Sequence, residues 1–424
     1  MICLVEALNY RCLKYIRQPL APFQVLVGPN ASGKTTFLDV IAFMGDVVRL
    51  GPEFAIRSRT QNPEDLLWGR QGDGFELAIE ATIPEVLREK IQGNGLFSTV
   101  RYELAIRRDA TSGEWGIAAE KLLLKTESST GAARGDEQLA WTFPSPQSGR
   151  TTLLTGKNPK NARLVLHKVP GGNDNFYSEV YRETGKGWVP TVKYGPRRSA
   201  LGNLPAEEEK FPVTSWLRQW LAEGVQQLVL NSLLIRNASA PGQGRRFRPD
   251  GSNLPWLVHE LGEHAPDKFS DWLAHLQTAL PDLTGIRTVE RNDDRHRYLM
   301  LRYANGVEVP SWMASDGTLR LMALTLPAYL PDFSGCYLIE EPENGIHPRA
   351  VEAMFQSLSS VYDAQMLLAT HSPVILSIIQ PEQLLCFAKK EGATDIVRGD
   401  EHPALREWRG ETNLSTLFAG GVLG

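Results

Sequence analysis

Gly28-Pro29-Asn30-Ala31-Ser32-Gly33-Lys34-Thr35 is the stretch that decides the fold. It matches in full the P-loop pattern of a glycine, four residues and then Gly-Lys-Ser/Thr. The mostly apolar residues 24–27 run into it and predict a short buried strand, and apolar residues recur at helical spacing over 37–48 after it. A strand before the loop and a helix after it favour a phosphate-binding loop over a chance glycine-rich turn.

The residue types of this loop suit a nucleoside triphosphate bound with Mg²⁺. Gly28 and Gly33 let the backbone bend tightly, so that its N–H groups approach phosphate oxygens. Lys34 supplies a positive charge for the outer phosphates and Thr35 a hydroxyl for the metal, at the positive end of the following helix. We therefore expect the nucleotide to contact the loop and the start of its helix, at Asn30, Ala31, Ser32, Gly33, Lys34, Thr35 and Thr36.

The composition is that of a folded protein without a dominant charge. The 424 residues suffice for two or three domains, or for one domain with a large insertion. Because 45 basic residues face 49 acidic ones, bulk charge does not draw the chain to nucleic acid or to an anionic membrane. The four cysteines show no CxxC spacing, which indicates neither a zinc site nor a disulfide framework.

The N-terminus lacks signal-peptide features and no apolar run has the length of a membrane span, so we expect a cytoplasmic protein without membrane contact.

The pattern along the chain predicts a mixed α/β fold. Strands are expected at 2–7, 13–16, 75–83, 100–107, 286–289 and 297–303, and helices at 211–231, 254–263 and 267–280. Loops are expected at 51–68 and 239–253, and an antiparallel β region at 113–194, with a disordered loop at 128–147. The chain shows neither a sustained heptad pattern nor a repeat of fixed period, so we expect no long coiled coil.

Three further motifs follow in the last third of the chain. Ser315-Asp316-Gly317-Thr318 precedes a helical run, the segment from Cys336 to Asn344 begins with an apolar strand that ends in the carboxylates of Glu340 and Glu341, and Thr370-His371-Ser372-Pro373 follows another apolar run. Each motif is weak alone, because a turn, a strand end or a lone histidine usually has a structural role. Their order carries the information: Ser315 precedes Glu341 by 26 positions and His371 follows it by 30, and each interval fits one helix and one strand.

This set of motifs resembles the ABC-type ATPase superfamily in its non-transporter branch. That branch includes SMC and RecF-like heads and the OLD-like predicted AAA ATPases of bacterial antiphage systems. The matching segments are 28–35 (Walker A), 315–318 (signature), 338–341 (Walker B), 343–348 (around the D-loop), 370–372 (switch histidine) and Asn9-Tyr10-Arg11, which is similar to a short element before the P-loop in this branch. The resemblance covers roughly residues 1–110 and 285–424.

The resemblance implies an ABC-ATPase-like head, with a mixed sheet and a P-loop helix. Its N-terminal lobe would be 1–110 and its C-terminal lobe 285–424, separated by a large globular α+β insertion at 111–284 that is β-rich and then helical. The implied cofactors are ATP and Mg²⁺.

The resemblance also implies a role for each motif residue. Lys34, Glu341 and His371 would be catalytic, Thr35 and Glu340 would hold the metal, and Arg11 would contact the nucleotide. Ser315 and Gly317 would bind the nucleotide of a second subunit, giving a homodimer or higher homo-oligomer closed by ATP.

The sequence departs from the family pattern at two places. Glu340 stands where many ABC proteins have Asp, although the longer side chain can still reach the metal or its water. The Q-loop glutamine has no clear counterpart, and Gln71, just before the strand at 75–83, is the candidate.

The resemblance leaves three functions to compare. One is a slow, regulatory ATPase subunit of an antiphage system that controls a separate nuclease or toxin, since the 53 residues from Ser372 onward are too few for a nuclease domain. Another is a RecF-like DNA-repair ATPase that acts on DNA. A transporter ATPase is disfavoured by the Glu-Asn-Gly-Ile-His-Pro string and by the insertion before the signature.

Two features of the insertion have more than one interpretation. The arginines around Phe247 could touch phosphate or an acidic partner, or form a solvated basic loop: Arg245, Arg246 and Arg248. The tryptophans on helix-like runs are expected to pack in the core or between domains: Trp216, Trp220, Trp256 and Trp272.

Overall fold

The computed structural model describes residues 1–91, 97–126, 142–146, 149–156, 161–169, 171–180, 191–205, 207–243, 246–405, 414–421 and 423. Within them the strands are β1 Ile2–Tyr10, β2 Leu13–Pro19, β3 Phe23–Val27, β4 Gly74–Thr82, β5 Thr99–Arg108, β6 Trp115–Lys125, β7 Ala162–Lys168, β8 Asp174–Phe176, β9 Val225–Leu228, β10 Leu283–Glu290, β11 Arg297–Tyr303, β12 Glu308–Pro310, β13 Gly335–Glu340, β14 Ala364–Ala369, β15 Leu384–Lys390 and β16 Ala393–Arg398. The helices are α1 Lys34–Leu50, α2 Pro52–Arg57, α3 Glu85–Arg88, α4 Pro212–Gln219, α5 Ser232–Arg236, α6 Leu254–His264, α7 Pro266–Ala279, α8 Asp316–Thr325, α9 Pro348–Ser359, α10 Pro373–Ile378 and α11 Leu414–Ala419.

A six-stranded sheet in the order β16-β15-β3-β14-β13-β9 forms the centre of the fold. All neighbours pair in parallel except β15 and β16, which form an antiparallel hairpin. β13 and β14 are almost entirely buried, as expected of strands covered on both faces. The carboxyl ends of parallel strands share one edge, so the segments after β3, β13 and β14 meet there.

A seven-stranded antiparallel sheet, β2-β1-β4-β5-β6-β7-β8, packs against the P-loop helix. Tyr10, Phe43 and Phe75 are buried at this contact, with ring centroids 4.9 to 5.8 Å apart. The sheet also buries a charge cluster. Arg101, whose side chain is 8% exposed, bonds there to the carboxylates of Glu6, Glu80 and Glu103.

The helices α6 to α9 and a small antiparallel sheet, β10-β11-β12, form a second core on the other side of the six-stranded sheet. Trp272 is fully buried in this core and donates its indole N–H to Thr325 at 2.9 Å. Trp256 is half-buried beneath the Arg297 guanidinium, 4.6 Å from its ring centroid, and Trp216 and Trp220 are half-buried against the core that contains the P-loop helix. These positions confirm a packing role for Trp272 and Trp256.

The structure confirms the mixed α/β head. The longest helix in the described part of the chain has 17 residues, which leaves no long coiled coil there. None of the described helices has the length and apolar character needed to cross a membrane.

Two predicted elements were wrong. The helix expected over 211–231 ends at Gln219, continues as a π-helical turn, Trp220–Gly224, and is followed by strand β9. The loop expected over 51–68 contains α2, because Pro52 starts a helix as readily as it interrupts one. The disordered loop predicted at 128–147 lies largely outside the described residues, as does Arg245.

The division of the chain into 1–110, 111–284 and 285–424 stays a prediction. Its boundaries cross both large sheets, since β5 pairs with β6 along ten positions and β9 joins the central sheet beside β13. The segment 111–284 therefore extends the head sheets as well as adding helices.

Candidate functional site

The P-loop lies at the carboxyl edge of the six-stranded sheet and has a backbone that only glycine suits at two points. Gly28 and Gly33 have φ of 150° and 111°, and a Cβ on Gly28 would lie 2.2 Å from the carbonyl oxygen of Phe387 on β15. The hairpin β15–β16 supports the loop from behind, where the Thr394 hydroxyl donates to the carbonyl of Ser32 at 2.8 Å. The loop therefore depends on packing by the far end of the chain.

Lys34 is folded back over its own loop. Its Nζ donates to the carbonyl oxygens of Gly28 at 2.8 Å and Pro29 at 3.0 Å. Burial lowers the pKa of this ammonium to about 8, and the nearby carboxylates of Glu341 and Glu340 limit that fall. A positive charge in a cradle of backbone groups is the arrangement that a phosphate requires.

The Thr35 hydroxyl and the Glu340 carboxylate meet at the mouth of the loop. Thr35 Oγ1 donates to Glu340 Oε2, and the amide of Gln227, at the carboxyl end of β9, donates to Glu340 Oε1 at 3.4 Å. A hydroxyl and a carboxylate are oxygen ligands of the kind Mg²⁺ prefers, so these residues fit the metal. The longer side chain of Glu340, at the position where many ABC proteins have Asp, therefore still reaches the Thr35 hydroxyl.

Glu341 begins the turn after β13 in a left-handed conformation, with φ of 47°. Its backbone N–H donates to the carbonyl of Ala369 at 2.7 Å, and its carboxylate accepts from the side-chain amide of Asn344. This turn directs an exposed carboxylate into the cleft next to Lys34. Such strained turns are common at functional sites.

His371 follows β14 and is held through Glu343. One Glu343 oxygen accepts from the Thr370 hydroxyl at 2.6 Å and from the backbone N–H of His371 at 3.2 Å. Burial and then the charge of Lys34 lower the pKa of His371, so its imidazole is neutral at pH 7. A neutral imidazole can either donate or accept a hydrogen bond at the cleft.

These side chains line one cleft of about 360 Å³. Its walls are Arg11, Cys12, Asn30, Ala31, Ser32, Gly33, Lys34, Thr35, Thr36, Glu340, Glu341, Ala369, His371 and Lys389. Every predicted nucleotide, metal and catalytic residue is among them except Ser315 and Gly317. Their roles in binding and catalysis stay predictions.

Ser315 and Gly317 lie at the start of α8, outside this cleft. Ser315 is exposed and caps the helix, since its hydroxyl accepts the backbone N–H of Thr318 at 3.1 Å. Gly317 packs so closely on the turn after β13 that a Cβ there would lie 2.6 Å from the carbonyl oxygen of Gly345. Gln71 also lies outside the cleft, and its carbonyl accepts a hydrogen bond from the side chain of Asn9 at 3.1 Å.

Three polar side chains in or beside the cleft, those of Gln227, Lys389 and Asp39, were not identified from the sequence. Gln227 lies on a strand that was predicted as helix, and Lys389 reaches the cleft from the β15–β16 hairpin. Asp39 on α1 is 3.3 Å from the Arg11 guanidinium and accepts from the Tyr10 hydroxyl at 2.6 Å, which explains why an aromatic and a basic residue are adjacent before the P-loop. Gln227 and Lys389 can be recognised only from the strand pairing that brings distant segments of the chain together.

One curated protein is similar to this chain in sequence, and solved structures are similar to it in fold. Protein ea59 of Escherichia phage lambda is 24% identical over 264 residues, which cover 59% of this chain and 49% of that protein, so the chain matches about half of the length of this relative. An SMC head bound to the C-terminal winged-helix domain of ScpA superposes with a TM-score of 0.52 at 12% identity, over 96% of this chain and 99% of the other. An SMC head with an extended coiled coil, bound to the C-terminal domain of ScpA derived from Pyrococcus furiosus, gives a TM-score of 0.50 at 10% identity, over 93% and 95%.

A family model covers most of the chain. The model described as AAA domain, putative AbiEii toxin, Type IV TA system matches residues 23–154 and 195–377, a span that includes the P-loop, the carboxylates of β13 and His371. The fold likeness to SMC heads agrees with an ABC-type, SMC-like ATPase architecture. The chain belongs to the AAA family described as putative AbiEii toxin of a Type IV toxin–antitoxin system.

Proposed function

We propose that this chain binds ATP with Mg²⁺, closes into a homodimer around it, hydrolyses it slowly and thereby controls a partner protein. The observation that carries the proposal is the cleft itself, where Lys34, Glu340 and Glu341 converge on one loop. Each part has a role in phosphoryl transfer, which depends mainly on positioning and charge. Bound Mg²⁺ would neutralise charge on the phosphates, held by Thr35 and Glu340.

The remaining side chains of the cleft would act on the reacting groups. Lys34 would contact the outer phosphates and Glu341 would orient the attacking water, because its carboxylate is exposed in the cleft. His371, neutral at pH 7, would hydrogen-bond to the terminal phosphate. Arg11 and Lys389 add positive charge at the rim for an anionic ligand.

The position of α8 supports a dimer in which one chain completes the other's site. The exposed Ser315 at its start is available to a second copy but not to the cleft of its own chain. Next to it lie large exposed apolar side chains, Trp312 at 45%, Met313 at 70% and Leu233 at 73% exposure. Exposed apolar groups around a polar helix start are typical of a protein contact surface. Loss of the terminal phosphate would remove the group that both chains hold, and so loosen the dimer.

The partner would be a separate effector protein of an antiphage system, a nuclease or a toxin. The family description names a toxin–antitoxin system, and the two similar SMC heads are bound to a domain of another protein. A RecF-like ATPase that acts on DNA is the alternative. The net charge of -4 favours a protein partner.

Glu341→Gln provides the test. The variant keeps the shape of the side chain and should lower ATP hydrolysis by about 100-fold or more, as expected when a water-orienting group is lost. It should retain a dimer that forms with Mg-ATP, measured by light scattering after gel filtration. A variant that stays monomeric with Mg-ATP would contradict the dimer.

The same variant identifies the partner when it is captured, tagged, from its native host with Mg-ATP present. A stoichiometric second protein that Lys34→Met fails to retain supports an effector. Recovery of DNA alone, lost as salt is raised, supports the repair function instead.

A further inference from the structure

A second cavity, of about 630 Å³, lies at the opposite end of the strands that carry Gln227 and Glu340. Gly224 and Gly335, at the amino ends of β9 and β13, form part of its lining. The volume is within the range of small-molecule sites, roughly 300–1,000 Å³. None of the residues that line the nucleotide cleft belongs to it.

Aromatic rings from both apolar cores form the walls of this cavity, which lies at the edge strand β9 of the six-stranded sheet. Trp216 and Trp220 come from the side of the P-loop helix, and their ring centroids are 6.4 Å apart at 35°. Phe247, Phe333 and Tyr337 come from the second core, and the last two stack with centroids 4.2 Å apart. A flat molecule in the cavity would therefore meet ring faces on more than one side.

The charged side chains of the lining are paired with one another or lie in solvent. Arg246 is 2.8 Å from the carboxylate of Glu223, and the ring nitrogen of His264 is 3.3 Å from that of Glu260. Asp332 is exposed at the rim. The charges thus select neither a cation nor an anion, and recognition is left to ring faces and to hydrogen bonds.

Gln226 on β9 supplies a hydrogen-bond acceptor that the described residues leave unused. It pairs with Tyr337 of β13 in the parallel register, so the two side chains lie on the same face of the sheet and both line the cavity. Its amide nitrogen donates to the carbonyl of Glu223 at 3.5 Å, which assigns the oxygen to the other side. That oxygen, Oε1, is buried without a hydrogen-bond partner among the described residues. Because a buried polar atom without a partner is uncommon in native proteins, this oxygen calls for a donor.

We propose that this cavity binds a flat aromatic molecule that donates a hydrogen bond from a ring N–H or a hydroxyl, at a site separate from the nucleotide cleft. The rings of the two cores would pack on the faces of the ligand. The Gln226 oxygen would accept its hydrogen bond after a small side-chain rotation. The proposal does not depend on ATP binding or hydrolysis.

Two probes of the same shape test the hydrogen bond. Indole carries a ring N–H, and benzofuran has an oxygen in its place. Each is titrated into the full chain without nucleotide, with binding followed by ligand-observed NMR and calorimetry. We expect indole to bind about fivefold more tightly than benzofuran, the ratio that one net hydrogen bond provides. Equal affinity for the two probes, or binding of neither, overturns the proposal.

Variants of β9 locate the binding. Gln226→Leu removes the acceptor, so it should lower the affinity for indole about fivefold and leave that for benzofuran unchanged. Gln227→Leu is the matched control, because the same change then lies on the opposite face of the strand and outside the cavity, and both affinities should stay as they are. A Gln226→Leu protein that still prefers indole, or that loses both probes equally, would overturn the assignment.

Discussion

At the scale of single residues, the side chains of the nucleotide cleft hold one another in place. Lys34 is bonded to its own loop, Thr35 to Glu340 and Glu341 to Asn344. A ligand would exchange these contacts for its own, so the cleft is preorganised at little cost in side-chain entropy. The charge state of Lys34 and the orientation of Glu340 are the two features that can be tested most directly.

Nucleotide affinity should fall as the pH rises above about 8. Below this pH Lys34 is charged in the free protein. Above it, binding must first restore the proton, because phosphates favour the charged form. Affinity for a non-hydrolysable ATP analogue should therefore fall with a slope approaching tenfold per pH unit. Calorimetry in buffers of different ionisation enthalpy would show proton uptake at pH 8.5. A Lys34→Met protein with the same pH slope would contradict this assignment.

Gln227 should orient Glu340 for the metal. Gln227→Leu removes one hydrogen bond of about 1 kcal/mol, which corresponds to a five- to tenfold loss of Mg²⁺-dependent nucleotide affinity. Gln226→Leu is the control, because adjacent strand residues point to opposite faces of the sheet. If the two substitutions lowered affinity equally, the loss would reflect damage to β9 rather than a role at the metal.

At the scale of elements, one residue at the start of α8 has two roles. Ser315 caps the helix within its own chain, and it is also the residue proposed to contact the partner's nucleotide. Loss of activity on removing its hydroxyl therefore has two explanations, structural and functional. They can be separated because other side chains cap helices equally well.

Ser315→Ala should lower the free energy of unfolding by about 1 kcal/mol, since a helix N–H loses its partner. Ser315→Asp should keep the cap and the stability, yet it adds a negative charge where the partner's phosphates would lie. We expect urea denaturation to distinguish the variants, and ATP-dependent dimerisation to be lost in Ser315→Asp. A stable Ser315→Asp protein that still dimerises with ATP would argue against contact in trans.

A comparison of the elements shows which parts of the fold can be predicted from sequence patterns. β3 and β13 were predictable because each is an apolar run that ends in a chemical motif. β9 was not, because Val225–Leu228 is short, half polar and directly continues a helix. The cleft residues within motifs were identified, whereas Gln227 and Lys389 arrive through strand pairing across more than a hundred residues, which no local pattern reports.

At the scale of the whole molecule, the six-stranded sheet separates two apolar cores. The seven-stranded sheet adds a buried charge cluster, in which Arg101 lies among three carboxylates. The segment 149–156 covers it: the backbone N–H of Leu153 donates to Glu76, and Arg101 donates to the carbonyl of Leu153. These hydrogen bonds tie the segment 149–156 to the sheet, and Leu153 adds apolar contact because it is buried with Tyr15 and Ala78.

Arg101→Met should destabilise this sheet by about 3–5 kcal/mol, because three buried carboxylates lose the guanidinium that they share, while Lys125 stays beside Glu80. Arg108→Met is the control on the same strand. Its side chain is 55% exposed and 3.5 Å from Glu64, a pair expected to contribute less than about 1 kcal/mol. Urea unfolding followed by tryptophan fluorescence compares them, and equal shifts would show that the cluster contributes no more than a surface pair.

The central sheet joins the two ends of the chain, since Phe23 of β3 pairs with Met366 of β14 and Leu26 with Leu385 of β15. On a ribosome, β3 emerges while its neighbours are still more than 300 residues from being made, a delay of roughly 20 to 70 s at ordinary synthesis rates. The antiparallel strands β1, β2 and β4 to β6 can pair in the meantime, but the apolar β3 and its glycine loop have no sheet to join. Biogenesis of this protein therefore includes a long interval in which the nascent P-loop strand must be shielded from wrong pairing, and the synthesis of β14 and β15 ends that interval.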